Sequence, residues 1–189
     1  LEGLAAPVRS TAPGSMFTLR CTHKLLRRGL TESPHGEVGP TTLLGDWYAN
    51  VLVTRPQHLV LCVSERTLLA VIVPAKSPGT LPARLLEALP PVLAALAIPP
   101  KSARGECDHM REHRIGRTAS KRVLGSLNEL MFLLEHSLHH HPEWSHLEHS
   151  LWLAQTPCKL VEYSAPDRAT QALFMSSAAV ANARIPASS

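Results

Sequence analysis

The sequence predicts an α+β fold, a small and mostly antiparallel sheet packed by several helices. Three apolar, β-branched-rich runs follow one another between residues 46 and 74, too closely joined for helical crossovers. Leucines then recur at three- and four-residue steps from Val123 to Leu138. Finally, 189 residues that are 44% hydrophobic and 18% charged suit one globular core.

Taken in order, residues 1–15 (LEGLAAPVRSTAPGS) lack the apolar stretch of a secretory signal and read as a disordered or appended lead-in. MFTLRC (16–21) alternates Phe17 and Leu19 with Thr18 and Arg20, an opening strand. Thr22 can cap a short helix that buries Leu25 and Leu26 and stops at Gly29. DWYANVLVT, HLVLCVS and LLAVIVP, separated by RPQ and ERT, form a three-stranded meander over 46–74. Its second and third runs are apolar on both faces, so both faces of the sheet should be covered. Trp47 and Tyr48 point to opposite faces, one of them core and the other exposed or under a helix.

LPARLLEALPPVLAALAIPP (81–100) has helical spacing, with Pro90 and Pro91 predicting a kink or two short helices. Residues 110–118 fit a further strand. A long helix from the N-cap Ser120 to about His140 and a second over 143–155 make a helical hairpin around Pro142. Residues 156–166 read as a last edge strand and 166–178 as a C-terminal helix. One domain over 16–178 with a flexible 179–189 tail is the expected organisation.

The hairpin carries the pentapeptide Leu-Glu-His-Ser-Leu twice, and six of the eleven histidines lie within 133–153. With Leu127 and Leu134 at the buried centre of the long helix, His136 lies about 160° and His139 about 140° away. The repeat thus reads as leucines turned inward and Glu-His-Ser turned outward, with His146 and His149 on the rim. His136, His140, His146 and His149 are the residues that could pair on a metal. No H-E-x-x-H motif accompanies them, and no metal or cofactor is expected. Phe132, about 160° from the buried centre, is oddly placed for a core residue and offers a surface for self-association through the hairpin.

The four cysteines are too widely scattered for a zinc knuckle and read as reduced thiols, which places the chain in the cytoplasm, with no run long enough for a membrane span. CTHKLLR (21–27) has the C-x5-R spacing of cysteine phosphatases. It lacks their glycines, and Leu25 and Leu26 look buried rather than looped around an anion.

The clearest electrostatic feature is 101–122, with seven Lys/Arg against three Asp/Glu. It reads as a basic linker leading into a helix N-terminus, the chain's best footprint for phosphate or nucleic acid. No aromatic platform accompanies it for stacking bases.

MFTLRCTHKLL, LGDWYANVLVT, LCVSERTLLAVIVPA and GRTASKRVLGSLNELMFLLEH together resemble a family of short bacterial proteins classed as a domain of unknown function. Its members likewise open on M-F-x-L-R-C-T-x-K-L-L and carry a V-L-G-S-x-N helix start. The likeness spans about residues 16–165 and implies a stand-alone domain with no established activity and no catalytic residue to carry over. The family's recurrent polar positions correspond to Arg20, Thr22, Lys24, Asp46, Asn50, Arg122, Ser126 and Asn128.

The resulting expectation is a non-catalytic cytoplasmic binding or regulatory module. An anionic ligand or nucleic acid would be received by Asp46, Asn50, Arg117, Arg122, Ser126 and Asn128, with the helix residues facing the Asp46/Asn50 end of the sheet. The alternatives are an enzyme using Cys21 or a histidine, and a toxin–antitoxin-like interaction protein.

Overall fold

A computed structural model describes residues 16–34, 39–157 and 164–183. Its sheet has five strands: β1 (Phe17–Cys21), β2 (Trp47–Leu52), β3 (Leu59–Ser64), β4 (Ala70–Pro74) and β5 (His113–Arg117). They lie in the order β4-β3-β2-β1-β5. The meander is present, since β2, β3 and β4 pair antiparallel. The sheet as a whole is mixed rather than mostly antiparallel, because β1 runs parallel to both β2 and β5. Strand direction is set by the connections. The 22–46 segment between β1 and β2 is long enough to cross back over the sheet, and a hairpin loop is not.

Among the described residues, six α-helices accompany the sheet: α1 (His23–Leu26), α2 (Leu81–Ala95), α3 (Pro100–His109), α4 (Lys121–His140), α5 (His146–Ala154) and α6 (Pro166–Ala183). The period-2 alternation of the strands splits the core in two. Trp47, Ala49 and Val51 join Val60, Cys62 and Val71 under α2, while Tyr48, Leu52, Leu59, Leu61 and Val63 lie under α4. Trp47 and Tyr48 therefore do face opposite ways, and both are fully buried. Val123, Leu127, Leu130 and Leu134 form the buried stripe of α4. Each such side chain contributes about 1.5–3 kcal/mol by leaving water.

Several local expectations change. α2 is one continuous helix through Pro90 and Pro91. Both prolines are exposed, so the carbonyls they leave unbonded can be hydrated. Residues 101–109 are not linker but α3, with Glu106 turned inward. α6 continues past residue 178 to Ala183. The edge strand expected at 156–166 falls largely on residues outside those described. Among the described residues, no helix is long and apolar enough to cross a membrane.

Each edge of the sheet is closed by a serine. At β4, the Ile72 amide donates to Ser150 Oγ of α5 at 3.1 Å, and that hydroxyl donates to the His146 carbonyl at 2.7 Å. At β5, the Ile115 amide donates to Ser33 Oγ at 3.0 Å, and the Ser33 amide returns a bond to the Ile115 carbonyl at 2.9 Å. An edge amide so occupied cannot template pairing with another chain.

Candidate anion-binding cleft

The polar site grows out of the alternation of β1. Its odd residues enter the α2-side core, which leaves Thr18 and Arg20 on the opposite face. The parallel register sets Arg114 beside Thr18 and Gly116 beside Arg20. A Cβ added at Gly116 would stand 2.9 Å from Thr18 Cγ2, so any other residue there makes the Thr18 methyl shift.

Asp46, just before β2, is 1% exposed and does the work of a backbone carbonyl beyond the strand's end. It accepts from the Thr18 amide at 2.8 Å and from Arg20 Nε at 2.7 Å. Arg20 is held there while its Nη1 donates to the Arg117 carbonyl at 3.4 Å. Arg117 itself pairs with Glu32 at 2.8 Å near the surface. These strands, the Glu32–Ser33 segment and the turn into α4 enclose a cleft of about 380 Å³, in which Arg20, Arg114, Arg117 and Thr118 meet. α4 begins beside it. Ser120 caps the helix by accepting from the Val123 amide, and its own amide donates to the buried Tyr48 hydroxyl at 3.1 Å.

The expected site residues separate. Asp46 and Arg117 belong to this cleft region. Asn50 lies four residues along β2 from Asp46, about 13 Å away at strand rise, where its Oδ1 accepts from Thr22 Oγ1 and the Val51 amide. Ser126 is buried against the sheet, while Arg122 and Asn128 are exposed. The structure thus does not gather Arg122, Ser126 and Asn128 around a shared Asp46/Asn50 end. Phe132 is 70% exposed.

The histidines also divide. His136 and His140 stack at 4.0 Å on the wet side of α4, and His146 stands 3.4 Å from Gln57 Nε2. His149 is not a rim residue: it is 1% exposed, and its Nδ1 lies 2.7 Å from the buried Ser137 Oγ. Ser137 and Ser150, the serines of the two pentapeptides, both face inward, contrary to the outward Glu-His-Ser reading. Small hydroxyls fit the close approach of α4, α5 and β4, where each finds a partner. His149 Nε2 is buried without one. Burial, followed by the charges of His146 and His141, holds the His149 pKa below its ordinary value. Ser137 and His149 are too deep for a substrate to reach. Among the described residues, no group of three or more His, Cys, Asp or Glu is placed to hold a metal ion.

Cys21 lies in the core, its thiol pushed up to about 12 by burial. Residues 23–26 after it are helical and bury Leu25, so the C-x5-R stretch forms no anion cradle. A neutral, buried thiol is a poor nucleophile.

Sequence reasoning missed Glu106. This carboxylate, 3% exposed, accepts from the Leu43 and Leu44 amides at 2.8 and 2.7 Å and so ties α3 to the loop before β2. Nothing in its basic surroundings in the sequence distinguishes it from a solvent-facing charge.

A family model described as a domain of unknown function (DUF6933) matches residues 18–169, from β1 into α6. The chain belongs to this family. No curated protein and no solved structure gives a significant match. The matched span holds all of the sheet except Phe17, together with both serine edge closures and the cleft.

Proposed function

We propose that this domain is a non-catalytic binding module that receives an anionic ligand, with the phosphates of nucleic acid as its leading target. The reading rests on one observation: Arg20, Arg114 and Arg117 converge from two strands on a single cleft beside the start of α4. Guanidinium groups suit phosphate because they are permanently charged and present several donors in a fixed fork. Helix N-terminal amides add a favourable dipole at the same place. Lys121 and Arg122 extend the positive surface outward from the cleft. The buried, protonated Cys21 supports a binding role over thiol catalysis. Free thiols at Cys21, Cys62 and Cys107 support a reducing, cytoplasmic setting.

Fluorescence anisotropy of a labelled random-sequence duplex, titrated with the full chain at rising salt, tests this. Binding should be present at about 50 mM salt and fall steeply with its logarithm. Arg114→Ala and Arg117→Ala should each lower the salt slope by about one. No binding at about 50 mM salt would remove the nucleic-acid reading.

A further inference from the structure

The solvent face of α4 carries two residues that the chain's own packing does not explain. Phe132 is 70% exposed. Gly125 sits in the interior of the same helix, where glycine is the least favourable residue after proline. Its φ is not positive, and a Cβ built on it meets nothing within 4 Å, so neither conformation nor crowding calls for glycine there. The two lie seven residues apart, two turns of helix, and so share one face at a spacing of about 10 Å. That face is opposite the buried stripe of Val123, Leu127, Leu130 and Leu134.

The charges along this face are arranged by helical period. At about 100° per residue, Lys121, Asn128 and Glu135 follow one side of the Gly125–Phe132 line, and Arg122, Glu129 and His136 follow the other. All six are exposed. Among the described residues, none of Lys121, Arg122, Glu129 and Glu135 belongs to an ion pair. Lys121 and Glu135 stand at equal distances on either side of the midpoint between Asn128 and Glu129, and so do Gly125 and Phe132.

We infer that this face recognises a second copy of the chain, the two α4 helices lying antiparallel with their two-fold axis at Asn128–Glu129. Phe132 of each copy then fills the notch over Gly125 of the other. The same register sets Lys121 of each copy level with Glu135 of the other on one side of the seam. Asn128 meets its own copy there, and an amide can both donate and accept. On the far side Glu129 meets its own copy, with Arg122 of both chains further out. A parallel pairing would instead set Phe132 on Phe132 and Glu135 on Glu135 and leave Gly125 unfilled. A contact confined to one helix face is smaller than the roughly 800 Å² per partner of a standard interface, which makes this a weak, concentration-dependent dimer.

Sedimentation equilibrium of the full chain at about pH 8, where the imidazoles near the seam are neutral, tests the assignment. The chain should pass from monomer to dimer between about 10 µM and about 1 mM. Phe132→Ala and Gly125→Leu should each weaken the dimer about tenfold or more. Gly125→Leu should also raise the melting temperature of the dilute monomer, because leucine is the better helix former, and this separates lost pairing from lost folding. Glu129→Gln should tighten the dimer several-fold by removing the one like-charged contact. Lys121→Glu should weaken it, and Lys121→Glu combined with Glu135→Lys should restore it. A chain still monomeric at about 1 mM, an affinity unmoved by both Phe132→Ala and Gly125→Leu, or a charge exchange that restores nothing would overturn the assignment. Arg114→Ala and Arg117→Ala should leave the dimer intact, which keeps self-association and anion binding experimentally separate.

Discussion

Acidification should loosen the α4–α5 hairpin through His149. The side chain is 1% exposed, shares a 2.7 Å hydrogen bond with Ser137 and carries an unpartnered Nε2, so the folded chain holds it neutral. Burial is the main cause, the His146 and His141 charges add to it, and Glu148 and Glu143 oppose it. With a folded pKa below the unfolded 6.5, the unfolded chain takes up the proton first as pH falls. The stabilisation is therefore complete above about pH 6.5 and is lost as pH drops toward the folded value. Linkage caps the loss between pH 8 and pH 5.5 at about 1.4 kcal/mol, the limit in which only the unfolded chain takes up the proton. Urea denaturation at pH 8, 6.5 and 5.5 would measure it. His146, whose pKa burial also lowers, contributes a slope of the same sign, so the decisive comparison is between variants. His149→Asn keeps a polar atom near the Nδ1 position for Ser137 and should lose part of the acid sensitivity. His146→Gln should retain the His149 share. An identical loss of stability in wild type and His149→Asn would refute the reasoning.

Other consequences are equally direct. Glu106→Gln replaces one of two carboxylate oxygens with a donor facing a backbone N–H, and chemical denaturation should show about 1–3 kcal/mol lost. Gly116→Ala drives a Cβ against Thr18 Cγ2 and should cost about 1–3 kcal/mol by the same assay, with Thr18→Ser restoring much of it. Leu127→Ala empties a site that is 0% exposed between α4 and the sheet, and should cost about 2–5 kcal/mol. Cys21, with its thiol near 12, should resist iodoacetamide in the folded chain at about pH 8 and react once urea unfolds it.

What the sequence shows and what it hides divide on physical grounds. Hydrophobic period finds α4 and the meander because burial of one face writes itself into residue order. Parallel pairing of β1 with β2 and β5 leaves no such mark, since direction depends on how connections pass over the sheet. Polar residues are harder still. Ser137, His149 and Ser150 read as a wet face by polarity, yet each finds a partner where α4, α5 and β4 converge. Asp46 was legible as a polar residue among apolar neighbours, but its bonds to Thr18 and Arg20 require β1 alongside. Arg117 was legible by charge, whereas its meeting with Arg20 and Arg114 depends on the β1–β5 register.

The most direct test of the central claim is amide-resolved NMR of the full chain, titrated with a short random-sequence duplex at low salt. The largest shifts should fall on the backbone from Arg114 to Arg122 and at Arg20, while α2 and α6 stay unmoved. Saturating duplex that shifts α2 or α6 and leaves 114–122 unchanged would contradict it.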